Sequence, residues 1–414
     1  MPKENFENML SRYAEMIVKV GLNLQSGQRL FIASEMNTAP LVRNVAAKAY
    51  QNGCPLVTVI WDDEELKKIR HEYAPRNSFH EYPDWVTRGI LEVVQRGDAY
   101  LSITGTDPDL LEGYDPELIA KELKARASHF KPASKFITSG GVQWTVICPP
   151  TPKWAAKIFP EYPIIEAEEN LWEVMFKLCR LNNDDPIGVW KSHLSGLKKR
   201  SKYMSDKQFV NLQFRGPGTD LMVGMPENHI WSGGGSKTNG GIDFTPNLPT
   251  EEIYSLPHKD KVEGTVRSTK PLNYFGNLIE DFSLTFSKGR VVDIKAKKGE
   301  ETLRKMLESD KGAKQLGEVA LVPHHSPISE SGLIFYNTLY DENAACHLAL
   351  GSAYKGNIQG GVEMSSEELA GAGVNESLIH VDFMIGSEEV AIHGVTKDGT
   401  KSPIMRDGDW AFEV

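Results

Sequence analysis

The sequence predicts a two-domain protein. An N-terminal α/β domain with a largely parallel sheet spans residues 1–203. An α+β domain with a mainly antiparallel sheet spans 204–414. Three observations lead there. A chain of 414 residues is long for one core. In its first half, apolar β-branched runs alternate with helical periodicity. From about Lys207 onward the strand-like runs shorten and turns crowd together.

The first elements follow in order. Phe6 to Val20 has helical periodicity, and Gly27-Gln28 turns into the short apolar strand Arg29–Ala33. A helix from about Ala39 to Asn52 is closed by Gly53. The β-branched run Pro55–Trp61 comes next, then a charged helix from Asp62 to about Tyr73. This is a βαβ unit feeding a parallel sheet. Ala99–Thr104 and Val142–Cys148 supply further strands. Helices near Ile164–Leu181 and Val189–Tyr203 lead to a boundary near residues 200–206. The turn after Ala33, Ser34-Glu-Met-Asn-Thr38, lacks glycine, which excludes a dinucleotide fingerprint.

In the second half, Phe209–Phe214 and Thr219–Val223 flank a Gly-Pro-Gly turn. Asn277–Phe286 and Arg290–Ala296 flank Ser287-Lys-Gly289 as a hairpin, and a helix follows from Glu300 to about Ser309. The glycine-rich stretch Trp231–Gly241 fails the P-loop pattern because Ser236 precedes Lys237, and it reads as a flexible loop.

Composition narrows the function classes. Net charge is −10, from 56 acids against 46 bases, which argues against nucleic acid as a partner. No apolar run approaches bilayer length, so no membrane partner is expected. Cys54, Cys148, Cys179 and Cys346 are far apart and form no CxxC, pointing to a reducing, cytoplasmic compartment. The acidic, amphipathic N-terminus resembles neither a signal nor a transit peptide.

The chemistry-bearing residues lie late in the chain. Leu378–Ile385 is an apolar run broken only by His380 and Asp382. In a strand these two share one face, and Ile379, Val381 and Phe383 take the other. The pair reads either as metal ligands or as a structural hydrogen-bonded pair. Within Leu339–Gly351, Glu342–Leu350 reads as a helix with Asp341 as N-cap and Gly351 as its stop, carrying His347 near its end, with Tyr354 just beyond. Glu251 and Glu252 lie between prolines, and Glu318 opens an apolar strand; each alone reads as a surface acid. No spacing matches a zinc finger or HExxH.

Taken together, Asn247–Glu252, Leu316–Ala320, Asn343–Gly351 and Ile379–Gly386 resemble the thermophilic metalloaminopeptidases, the family of aminopeptidases T, S and II. The likeness runs over essentially the whole chain. It implies metal ligands at Glu252, Glu318, His347, His380 and Asp382 in the C-terminal domain. Glu251 is the neighbour, Glu342 stands where a further acidic ligand falls, and Tyr354 matches a tyrosine beside the metals. On the helical reading, Glu342 and His347 face different ways, which ranks Glu342 lower. Cys346 reads as a packed helix residue.

The resemblance further implies two divalent ions, Zn, Co, Mn or Mg. Three acids and two neutral imidazoles leave a positive surplus on such a pair, favouring a hydroxide between the ions, and Glu342 would cancel it. The implied activity is removal of N-terminal residues from short peptides with a free N-terminus. Tyr354 would stabilise the oxyanion, Glu318 would shuttle the proton, and the protein would be a homodimer. Two alternatives stay open: a two-metal amidase or deacylase on another small amide, and a non-enzymatic binding protein with a structural metal.

Overall fold

The computed structural model describes residues 2–105, 107–274 and 277–414. Two compact units emerge: Met1–Lys191 with Gly235–Pro249, and Ser192–Gly234 with Thr250–Val414. The division falls within the helix Pro186–Lys207, between Lys191 and Ser192, ahead of the expected boundary near 200–206.

The first unit is built on a parallel sheet. Its strands are β1 (Leu30–Glu35), β2 (Val57–Asp62), β3 (Ala99–Ile103) and β4 (Trp144–Ile147), in the order β4-β3-β1-β2, with Asn247–Leu248 added beside β4. β1 is almost wholly buried, as a central parallel strand must be. The helix Ala39–Gln51 has proline in its first turn and ends at Asn52-Gly53, where Gly53 takes a φ of 88°. Asp63 caps the charged helix Glu64–Tyr73 by accepting the Glu65 N–H at 2.9 Å. The expected first helix is present as Lys3–Met16, continued by a π-turn at Ile17–Gly21.

Antiparallel pairing governs the second unit. One sheet has nine strands, among them Asn211–Gly216, Thr219–Gly224, Val262–Arg267, Asn277–Ser287 and Arg290–Lys298. The other has five: β5 (Ser232–Gly233), β6 (Ile253–Ser255), β7 (Leu316–Leu321), β8 (His347–Gly351) and β9 (His380–Met384), in the order β9-β8-β7-β6-β5. One hydrophobic core joins them. Phe214, Leu221, Phe282 and Ile392 of the nine-stranded sheet pack in one cluster with Ile253, Val319, Leu321, Leu348, Leu350 and Phe383 of the five-stranded one. The rings of Phe282 and Phe383 are 5.6 Å apart.

Two sequence expectations are corrected here. Glu342–Leu350 is not a helix. A short helix, Thr338–Asp341, capped by Asn337, gives way to a 3-10 turn at Glu342–Ala344, and His347 opens β8. Glu, Ala and Leu are good helix formers, but β7 and β9 flank this segment and claim its backbone hydrogen bonds. Gly351 is therefore no helix stop. Its φ is 107°, and a Cβ there would lie 2.1 Å from the Ile379 carbonyl oxygen. Nor is Cys346 helical: it precedes β8, and its buried thiol donates to Val322 O at 3.2 Å. The Trp231–Gly241 stretch is also not simply a loop. Ser232–Gly233 pairs with β6, and Ser236–Lys237 pairs with Asp243–Phe244.

The expected hairpin at Ser287-Lys-Gly289 is present, with Lys288 at φ 48° and Gly289 at φ 76°, as a two-residue turn requires. A Cβ on Gly289 would meet Lys259 O at 1.8 Å. Gly289→Ala is therefore expected to cost at least about 1–3 kcal/mol. Chemical denaturation of the two proteins side by side checks this; an unchanged midpoint would contradict it.

Candidate metal centre

Strand register brings the candidate residues together. Across β7, β8 and β9, Ala320 pairs with His347, His347 with Met384, Glu318 with Ala349, Ala349 with Asp382, and Gly351 with His380. Paired residues share a face, so Glu318, His347, His380 and Asp382 stand together. On β6, Tyr254 pairs with Ala320 and shares that face, and Glu252 lies two residues earlier. Small residues, Ala320, Ala349 and Gly351, occupy the positions between the polar ones and leave them room. The opposite face is the hydrophobic core. One alternation thus serves both packing and chemistry.

The donors form two groups that share one carboxylate. Glu252, Glu318 and His347 make the first, and Glu318, His380 and Asp382 the second. In each, the ligand-type atoms lie within 4.8 Å of one another. His347 Nε2 is 3.1 Å from Glu252 Oε2 and 3.5 Å from Glu318 Oε1. His380 Nε2 is 3.5 Å from Glu318 Oε2 and 3.3 Å from Asp382 Oδ1. Glu318 therefore offers one oxygen to each group.

Three observations make this donor set fit divalent cations. Glu252, Glu318, His347 and Asp382 are all buried. Glu252 Oε2 and Asp382 Oδ1 have no partner in hydrogen-bonding geometry despite their burial. Each imidazole also donates its Nδ1–H to a backbone carbonyl, His347 to Ala345 at 3.1 Å and His380 to Ser352 at 2.7 Å. That leaves Nε2 turned toward the carboxylates, the arrangement by which a metal-binding histidine is oriented.

Glu342 belongs to neither group. It sits in the 3-10 turn before β8, where Asn343 Nδ2 approaches its Oε1 at 3.4 Å. Burial, then the charges of Glu252 and Asp382, raise its pKa well above the usual carboxylate range, so it faces the cluster from beside it. The face argument that ranked it lower assumed a helix and no longer applies. Glu251 points to other company: its N–H donates to Asn343 Oδ1 at 2.7 Å, and its carboxylate lies 3.4 Å from His193 Nε2.

Tyr354 lies just before the 3-10 turn Lys355–Asn357, its ring 4.9 Å from that of His380 and 5.9 Å from that of Tyr254. Half of its surface is open (49%), yet burial of the phenol and the charges of Glu318 and Asp382 keep its proton on, with a pKa well above the ordinary value. Sequence reading missed Tyr254. Burial, then Glu318 and Glu252, raise its phenol in the same way. The signal was available: Tyr254 follows Glu252 by two, the strand period.

The fold and the donor set fit a class: proteins that hold divalent metal on the polar face of an antiparallel sheet. The chain belongs to the thermophilic metalloprotease (M29) family, whose model matches residues 6–410. It is 49% identical to aminopeptidase 2 of Geobacillus stearothermophilus over 99% of both chains. It is 44% identical to aminopeptidase T of Thermus thermophilus, covering 98% of this chain and 99% of that one. The solved structure of wild-type AmpT from Thermus thermophilus superposes with a TM-score of 0.94 at 43% identity, over 98% of this chain and all of the other.

Crowded carboxylates give the metal-stripped protein a distinctive pH response. Burial lifts Glu318 from 4.5 to about 7; His347 and His380 oppose the shift, while Asp382 and Glu252 add to it. Stability therefore declines as pH rises from roughly 4.5 through about 7. Burial works against a charged His380, but Asp382 and Glu318 prevail and raise it from 6.5 to about 9. Its stabilising charge is complete below about 6.5 and lost through about 9. Asp382 is held below its ordinary 3.8 and acts only at lower pH. The melting temperature of chelator-treated protein should thus fall from about pH 5 to pH 9, and Glu318→Gln should flatten the first part of the fall. A melting temperature that rises over this range would contradict the assignment.

Proposed function

We propose that this chain is a metal-dependent aminopeptidase that removes N-terminal residues from short peptides and works with two divalent ions. The observation that carries the reading is the sharing of Glu318 between two donor groups, each completed by one imidazole and one further carboxylate. Glu252 and His347 would hold one ion and His380 and Asp382 the other, with Glu318 between them. Glu342 is an additional acidic ligand or a neighbour that adjusts the charge of the site. Oxygen-rich ligation with two imidazoles and no thiolate suits Zn, Co, Mn or Mg. Aminopeptidase names among relatives at 44–49% identity support the substrate class.

Bound ions would supply Lewis-acid polarisation of the scissile carbonyl and a water of lowered pKa. The chain's own residues do the rest. Tyr354, kept protonated, donates its O–H to the oxygen on which negative charge develops. A Glu318 carboxylate oxygen would take the proton of the attacking water and pass it to the leaving amine. The two imidazoles, His347 buried and His380 half-buried, are fixed through Nδ1 and hold the donor geometry without reorganisation.

The protein is also proposed to act as a cytoplasmic homodimer. Leu66, Ile69 and Tyr73 form an exposed apolar stripe at helical spacing on Glu64–Tyr73, which supports a self-association face. The burial of all four cysteines agrees with a reducing compartment.

Chelation should abolish hydrolysis of aminoacyl-p-nitroanilides while leaving the fold largely intact, and one of the four divalent ions added back should restore it. N-acetylated analogues should not be cleaved; equal rates on blocked and free substrates would favour an amidase instead. Tyr354→Phe should retain metal and lose about 10²–10³ in kcat. Wild-type turnover in that variant would remove Tyr354 from the mechanism.

A further inference from the structure

Tyr354 lies just past the end of β8, at the entry to a short turn. Lys355–Asn357 is a single 3-10 turn, and the next residue, Ile358, forms an isolated bridge to His229 and packs with Leu256 and Ala353. What holds the turn is Asn357, 2% exposed. Its Nδ2 donates to Ile230 O at 3.0 Å, Ser232 Oγ at 3.0 Å and Tyr254 O at 3.3 Å. Its backbone N–H donates to Tyr354 O at 3.1 Å, and its carbonyl accepts the Ile230 N–H at 2.6 Å. One buried residue therefore joins three pieces: the segment leading into β5, strand β6 with Tyr254 beside Glu252, and the turn that presents Tyr354. Ser232, at the far end of the clamp, pairs with Tyr254 across β5 and β6.

Two of the three acceptors are backbone carbonyls, so the position needs an N–H donor. A carboxylate of the same shape would set oxygen against oxygen in a buried place. The aromatic contacts show what the clamp achieves. Tyr354 is held against Tyr254 on one side and His380 on the other. We propose that Asn357 is a positioning residue that sets the Tyr354 hydroxyl for catalysis by clamping its turn to strand β6. This rests on the role of Tyr354 proposed above and adds to it the residue through which that role is secured. Asn357 acts through Tyr354 and is not itself a catalytic residue.

The test uses the metal-loaded enzyme and a pair of backgrounds. Asn357→Ala and Asn357→Asp should lower kcat about 10- to 100-fold, the scale expected when a reacting group is misplaced by about 1 Å. KM should move less than kcat, and metal content per chain should stay at the wild-type level. In a Tyr354→Phe background the same substitutions should leave kcat at the Tyr354→Phe value, because the hydroxyl they position is already gone. Ser232→Ala loosens the clamp from its other end and serves if the Asn357 variants fold poorly. It should lower kcat less, and again only where Tyr354 is present. Equal losses in both backgrounds, or metal lost in step with kcat, would overturn the proposal, as would wild-type kcat in the Asn357 and Ser232 variants. If Tyr354→Phe itself kept wild-type kcat, the underlying reading would fall first, a result distinct from these.

Discussion

Several like charges crowded on one buried face constrain the rest of this molecule. Glu252, Glu318 and Asp382 are buried, Glu318 offers donor atoms within 4.8 Å of each of the other two, and Glu342 stands beside them. Taking carboxylates out of water is costly unless they are paired and hydrogen-bonded. The two imidazoles opposite them offset part of that cost, but Glu252 Oε2 and Asp382 Oδ1 face the His347 and His380 rings, at 3.1 and 3.3 Å, without hydrogen-bonding geometry. The chain holds this arrangement only because the surrounding sheet over-determines it.

That sheet does two things with a single periodicity. Alternate residues of β6, β7, β8 and β9 enter a core shared with the nine-stranded sheet, and the residues between them make the site. A slip of one residue in any of these strands would bury the acids in the core and expose leucines to the site. The register is pinned by packing, and the donor geometry is a consequence of it. Gly351, where a Cβ would strike the Ile379 carbonyl, marks how closely β8 and β9 approach beside His380.

Much of this was legible in the sequence, for local reasons. His380 and Asp382 interrupt an apolar run at the strand period, so their common face could be read directly. The parallel order of the first unit followed from apolar runs alternating with helices. His347 was different. Its neighbours favour a helix by composition, and only the strands on either side, distant in sequence, make it β. Glu252 and Glu318 looked like surface acids because what buries them comes from other strands; the family resemblance, not periodicity, singled them out. Tyr254 was overlooked although it stands two residues from Glu252. Asn357 gave no local sign at all, since its partners Ile230, Ser232 and Tyr254 come from elsewhere in the chain.

Membership of the thermophilic metalloprotease family establishes the broad chemistry, and the two donor groups that share Glu318 are the basis for proposing a pair of ions. The most direct measurement is an anomalous-scattering map from crystals of the metal-loaded protein. The account predicts two peaks, one bordered by Glu252 and His347, the other by His380 and Asp382, with Glu318 touching both. A single peak, or metal bound away from these five side chains, would contradict it.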